Sequence, residues 1–176
     1  MTHRKIIFAG PVGAGKTTAI CSLSEIAPIV TDARASDETR ERKENTTVAL
    51  DYGRITLRNG DRVHLYGTPG QDRFDFMWEI LAKGGCGLIL LMDNARNNPL
   101  ADVKTYTTAF ADVIKDQRLV IGVTRTDVKS DPGLEEYREL LDMFSLRVPV
   151  LAVDARKPAD VLVLIETLLA LNIGQM

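Results

Sequence analysis

One octapeptide limits what this chain can fold into more than any other feature. Gly10-Pro11-Val12-Gly13-Ala14-Gly15-Lys16-Thr17 matches the pattern G-x-x-x-x-G-K-[ST] in full. A short apolar run precedes it and a helical pattern follows. Gly10, Gly13 and Gly15 let the backbone turn tightly, so that successive N–H groups face inward at phosphate oxygens. The positive end of the following helix adds to that field. Lys16 neutralises charge on the β- and γ-phosphates, and the Thr17 hydroxyl is a hard oxygen ligand suited to Mg²⁺. The expected phosphate-binding set is Gly13, Ala14, Gly15, Lys16, Thr17 and Thr18.

Downstream of the loop, short apolar runs alternate with helical patterns, the rhythm of βαβ units. Strands are expected at 5–9, 48–58, 62–66, 87–92, 119–123 and 148–153. Helices are expected at 16–26, 73–82, 100–115, 133–144 and 158–171, the last with Pro158 in its first turn. Asn59-Gly60 is a hairpin signal, so strand 2 should run antiparallel to strand 3. The unbroken apolar run at 87–92 suits a strand buried on both faces. The fold class is therefore α/β: a three-layer P-loop NTPase with a six-stranded, mostly parallel sheet and five helices. At 176 residues, with no linker or repeat, the chain reads as a single domain over 1–176.

Residues 31–46 break this rhythm. Arg34, Asp37, Glu38, Arg40, Glu41, Arg42, Lys43 and Glu44 crowd a stretch with almost nothing apolar. Such a run is either a solvated loop or a segment that changes order with a bound ligand. Its place between helix 1 and strand 2, beside the phosphate loop, favours the second.

Charge and cysteines remove other classes. A formal net charge of −2 gives no electrostatic reason to expect nucleic acid or an anionic membrane as partner. Cys21 and Cys86 form no CxxC and no metal-ligand spacing, which fits a reduced, cytoplasmic setting. The apolar run after Met1-Thr2-His3-Arg4-Lys5 is too short for a signal peptide or a membrane span. Thr2 stands where myristoylation needs glycine, and no cysteine near the C-terminus invites prenylation, so no direct membrane anchor is expected. His3 and His64 are isolated in sequence and need no special role.

Leu65-Tyr66-Gly67-Thr68-Pro69-Gly70-Gln71-Asp72-Arg73-Phe74 resembles the second switch of Ras-superfamily GTPases. Its Pro-Gly-Gln form, with Thr46-Thr47-Val48-Ala49-Leu50-Asp51-Tyr52 before it, is similar to the bacterial small GTPases related to MglA. That group works with roadblock-fold regulators and is distantly similar to the signal-recognition-particle receptor β subunit. The resemblance implies that Gly70 offers its N–H to the γ-phosphate and that Gln71 is the catalytic residue, orienting the attacking water. It also implies that Thr47, or failing that Thr46, completes the Mg²⁺ shell with Thr17.

Thr124-Arg125-Thr126-Asp127 stands in place of N-K-x-D. By resemblance Asp127 accepts from the guanine N1–H and 2-amino group, and Arg125 covers the purine face. Thr124 replaces an asparagine, which removes one tie to the phosphate loop. Asp154-Ala155-Arg156 corresponds to S-A-K, with the Ala155 N–H meeting guanine O6.

Several departures bear on mechanism. Gly67 stands where the Walker B aspartate is expected, and Asp93 is a conceivable substitute. Val12 crowds the approach of a partner's arginine finger, which points to an arginine of the chain itself: Arg40, Arg42 or Arg73. Phe74, Met77 and Trp78 share a helix face that serves either the core or a partner surface. The expected function is a GTP/GDP switch with slow Mg²⁺-dependent hydrolysis. Its switch I (about 31–47) and switch II (about 67–80) would be read by effector and regulator proteins, roadblock-domain proteins among them. A nucleotide-binding adaptor with negligible hydrolysis and a P-loop kinase are the alternatives.

Overall fold

Strands β1 (His3–Ala9), β2 (Asp51–Thr56), β3 (Arg62–Gly67), β4 (Gly85–Asp93), β5 (Leu119–Thr124) and β6 (Val150–Ala152) form one sheet in the order β2-β3-β1-β4-β5-β6. This is the arrangement in a computed structural model that describes residues 3–30, 51–68, 85–114 and 118–173. All neighbours pair parallel except β2 and β3. The β2–β3 hairpin is the one the Asn59-Gly60 signal predicts. Its turn is closed by Gly60 N–H to the Leu57 carbonyl (2.8 Å), and Asn59 Oδ1 accepts from Asp61 N–H (3.0 Å).

The helices among the described residues are α1 (Lys16–Leu23), α2 (Pro99–Ala109), a single turn α3 (Ala111–Ile114), α4 (Leu134–Met143) and α5 (Pro158–Ile173). The sheet has an apolar core on each face because its strands are apolar at successive positions and strand side chains alternate sides. Ile6 and Phe8, Ile89 and Leu91, and Val120 join α1 and α5 on one face. Ile7 and Ala9, Leu88, Leu90 and Met92, and Leu119, Ile121 and Val123 join α2 and α4 on the other. Each fully buried aliphatic side chain contributes about 1.5–3 kcal/mol, so these two layers hold the strand ends where the loops emerge.

Several boundaries differ from the sequence reading for tertiary reasons. The first helix stops at Leu23 rather than 26, because Ser24 turns extended and its Oγ accepts from Arg54 N–H (3.2 Å) while Glu25 N–H donates to the Arg54 carbonyl (2.8 Å). The third expected helix breaks at fully buried Phe110, whose backbone leaves helical geometry as α2 ends. β6 is shorter than 148–153: Pro149 accepts from Ile121 N–H but has no N–H of its own to extend the ladder. The helix expected at 73–82 and residues 48–50 of the expected strand 2 lie outside the described residues.

Candidate functional site

The phosphate loop sits where the strand order reverses beside β1, at the carboxyl edge of the sheet, the place where open α/β sheets bind ligands. Gly10, Gly13 and Gly15 have φ of +141°, +81° and +102°, conformations that a side chain disfavours. Gly15 caps α1 without any side-chain hydrogen bond, so the first-turn N–H groups are left to an incoming anion. Lys16 is only 7% exposed, and its ammonium donates to the Gly10 carbonyl (2.7 Å) and the Pro11 carbonyl (2.8 Å). The charge is thus parked on the rim of the loop it serves. Burial lowers the Lys16 pKa to about 8; Asp51 works against that shift and Arg96 adds to it. Thr17 and Thr18 are exposed beside it, and Ala14 is buried under the loop. Val12 stands 65% exposed on the loop, at the position the sequence assigns to a crowding side chain.

The Thr17 hydroxyl donates to Asp51 Oδ2. A threonine oxygen with a carboxylate beside it is a fitting donor set for a small hard cation, which takes only one or two protein ligands and completes its shell from phosphates and water. Among the described residues no cluster of three or more His, Cys, Asp or Glu forms a cage of its own. Asp93, the substitute considered for the missing Walker B aspartate, is engaged elsewhere. One of its oxygens meets the Arg125 guanidinium at 3.0 Å and the other accepts from Ala95 N–H at 2.9 Å. Asp51 was missed in the sequence because its role depends on strand pairing. The stretch Leu50-Asp51-Tyr52 carries part of the family resemblance and reads as strand, with no site role attached to its aspartate.

Thr124 does not loosen the base-binding loop, as its replacement of asparagine suggested. It is buried, and its hydroxyl lies 3.0 Å from the Ala14 carbonyl and 3.2 Å from the Met92 carbonyl. A threonine therefore retains the tie between the β5 end and the phosphate loop. Arg125 has φ +58°, and its guanidinium is tied to Asp93. Asp127 is exposed, and its charge acts on Arg156 across the gap between the two expected base loops. Asp154 forms a two-pronged pair with the Arg156 guanidinium (2.9 and 2.8 Å), which lowers its pKa to about 2. Ala155 packs so closely on the phosphate loop that a Cβ on Gly15 would lie 2.8 Å from its own.

Behind these loops, Asn94 donates to the Lys129 carbonyl (2.6 Å) and the Pro132 carbonyl (3.0 Å), and accepts from the fully buried Tyr137 hydroxyl (2.7 Å). Sequence reasoning assigned no role to Asn94 or Tyr137, yet they brace the loop that carries Asp127. Thr68 N–H donates to the Phe8 carbonyl (3.0 Å), which brings the end of β3 to the start of the phosphate loop. Gly70, Gln71, Thr46, Thr47, Arg40, Arg42, Arg73, Phe74, Met77 and Trp78 lie outside the described residues.

The family described as "Conserved hypothetical ATP binding protein" matches residues 25–169. The chain belongs to that family. The match begins beyond the phosphate loop, so the loop and the family's description point independently to nucleotide binding. The uncharacterized protein MJ1339 of Methanocaldococcus jannaschii is 30% identical over 135 residues, which cover 76% of this chain and 77% of that protein. Among solved structures, the G domain of the T. maritima FeoB iron transporter superposes with a TM-score of 0.68 at 18% identity, over 97% of this chain and 99% of that one. At that identity the likeness is one of fold: the family member shares the G-domain architecture. No helix among its described residues is long and apolar enough to cross a membrane.

The low pKa of Lys16 gives nucleotide affinity a pH dependence. Above about pH 8 the free protein holds Lys16 mostly neutral, whereas a bound polyphosphate holds it charged, so binding must take up a proton. Affinity for a nucleoside diphosphate is expected to fall as pH rises from 8 towards 10, by up to about tenfold per unit. Calorimetry at pH 9 in two buffers of different ionisation heat should register that uptake; equal heats would refute it. The stability of the free protein should move the other way. The unfolded chain, with Lys16 near its ordinary 10.5, binds more protons between about 8 and 10.5, so folding strengthens as pH rises through that window.

Proposed function

We propose that this protein is a guanine-nucleotide switch that binds GTP and GDP with Mg²⁺ and hydrolyses GTP slowly. The observation that carries the reading is the bond from the Thr124 hydroxyl to the Ala14 carbonyl. It locks the loop bearing Asp127 to the loop bearing Lys16, so one ligand with a base at one end and phosphates at the other spans both. Phosphate oxygens dock on the N–H groups of residues 13–18, with Lys16 leaving its rim carbonyls for the β/γ-phosphates. Asp127 takes the paired N1–H and 2-amino donors of guanine, Arg125 lies over the purine face, and the Ala155 N–H serves O6 beside the Asp154–Arg156 pair.

The cation, where bound, neutralises charge on the β- and γ-oxygens; Thr17 would hold it, with Thr47 added in the triphosphate state. Gln71 orients the attacking water and Gly70 reports the γ-phosphate. Residues 31–47 and 67–80 form the surface that effectors and regulators read. Kinship to the MglA-like group rests on the Thr68-Pro69-Gly70-Gln71 motif, and through it roadblock-domain proteins are the proposed partners, in the cytoplasm.

The family's description names ATP, whereas an aspartate at position 127 favours guanine, since adenine offers no such donor pair. Competition of GTP, GDP and ATP against a fluorescent GDP analogue decides between them. GTP and GDP should displace the probe at least about 100-fold better than ATP, because a site built around buried or paired polar groups rejects an analogue that lacks their partners. Asp127→Asn should shrink that gap to under about tenfold. Equal competition by ATP in the unaltered protein would refute guanine selectivity and leave an adenine nucleotide as the ligand.

A further inference from the structure

Nucleotide-binding loops of this kind hold Mg²⁺ through the loop's Ser or Thr and a carboxylate at the end of a neighbouring strand. β3 ends instead on Gly67, which has no side chain to offer. In the antiparallel ladder Asp51 is the residue directly opposite Gly67. A Cβ built on Gly67 would lie 3.1 Å from the Asp51 Cβ, 3.4 Å from Asp51 Oδ2 and 2.8 Å from Ile20 Cδ1. The Asp51 carboxylate therefore occupies the volume that a side chain from position 67 would enter. From there it accepts a hydrogen bond from the Thr17 hydroxyl. A hydroxyl that donates its hydrogen bond to a carboxylate turns its lone pairs away from it, which is the orientation a metal ligand requires.

We propose that Asp51 supplies from β2 the carboxylate that β3 lacks, positioning Thr17 as a Mg²⁺ ligand and accepting from the ion's bound water. The inference rests on the nucleotide-binding reading above and deepens it. The exchange is reciprocal in steric terms: an aspartate at both 51 and 67 would place two carboxylates in one pocket, and glycine at 67 leaves room for one. Asp51 is the first residue of β2 and follows the charged run at 31–46 by five positions in the sequence.

The test measures GDP affinity with Mg²⁺ and with EDTA for the unaltered protein, Asp51→Ala and Asp51→Asn, the last retaining shape and fold while removing charge. Mn²⁺ titration of each GDP complex, followed by electron paramagnetic resonance, reads the metal directly. Both variants should bind Mn²⁺ about 10–100-fold more weakly, the usual cost of losing a partner behind a metal ligand, and should lose the Mg²⁺ enhancement in the same proportion. Their EDTA affinity should hold or rise, because an anion beside the phosphates is gone. If the unaltered protein binds GDP but either variant keeps its Mn²⁺ affinity and Mg²⁺ enhancement, the inference fails and the nucleotide reading stands. A loss of EDTA affinity equal to the loss in Mg²⁺ would assign Asp51 a merely structural role and overturn the inference too. Absence of GDP binding by the unaltered protein, with or without metal, would overturn both.

Discussion

Lys16→Ala is expected to weaken nucleotide binding by about 30- to 5,000-fold, the equivalent of about 2–5 kcal/mol for truncating one member of a desolvated, hydrogen-bonded charge pair. In the free protein the ammonium is buried against two loop carbonyls, and burial already disfavours its charge. Removing it relieves that desolvation while freeing two rim carbonyls, which can take water instead. Free-protein stability should therefore change little, and the effect should fall on the ligand. The measurement pairs a fluorescence titration with thermal unfolding. The unaltered protein should gain stability with saturating GDP, and the variant should gain almost none while melting within a few degrees of it without ligand. Nucleotide uptake within threefold of normal would show that the loop does not work as described.

Gly10→Ala should do the opposite, damaging the fold before the ligand is considered. A Cβ on Gly10 would sit 2.0 Å from the Leu91 carbonyl oxygen and 3.1 Å from its carbon. Those atoms belong to the backbone of β4, which pairs with β1 one residue earlier through Ala9 and Leu90. Neither strand can retreat without opening the ladder at the centre of the sheet, and the φ of +141° is itself strained for alanine. A cost of about 3–5 kcal/mol is expected from forced overpacking of this kind. Gly13→Ala is the comparison. Gly13 also has a positive φ but nothing within 4 Å of a Cβ, so conformational strain alone applies, about 1–2 kcal/mol. Urea unfolding of the free proteins checks the order. Equal destabilisation of the two would mean that the approach of β4 is not what holds position 10 to glycine.

Glycine 10 shows how much of the site a sequence can carry. The motif assigns it to a phosphate loop, and its role as a tight turn follows from residue type alone. Its contact with Leu91 does not, because that contact depends on which strand lies beside β1. The same division runs through the base loop. The base-binding roles expected of Asp127 and Ala155 rest on motif spacing alone, while Thr124 reads as a loss until the fold puts its hydroxyl against the Ala14 carbonyl. Asp93 looked available because it ends a strand near the site. It is taken by the nearby Ala95 N–H and by Arg125, and the second contact, between residues 32 positions apart, forms only in the folded chain.

By itself the sequence determined the local chemistry: a loop of N–H donors with one lysine and one threonine, the alternation of strands and helices, and the hairpin at Asn59-Gly60. Each depends on a few consecutive residues and on preferences that neighbours in the chain impose. The folded structure decided which groups from distant segments meet. Asp51 opposite Gly67 is a product of strand register, and a one-residue shift in that pairing would send its side chain to the other face of the sheet; Tyr137 under Asn94 and Ser24 ending α1 against Arg54 are products of packing.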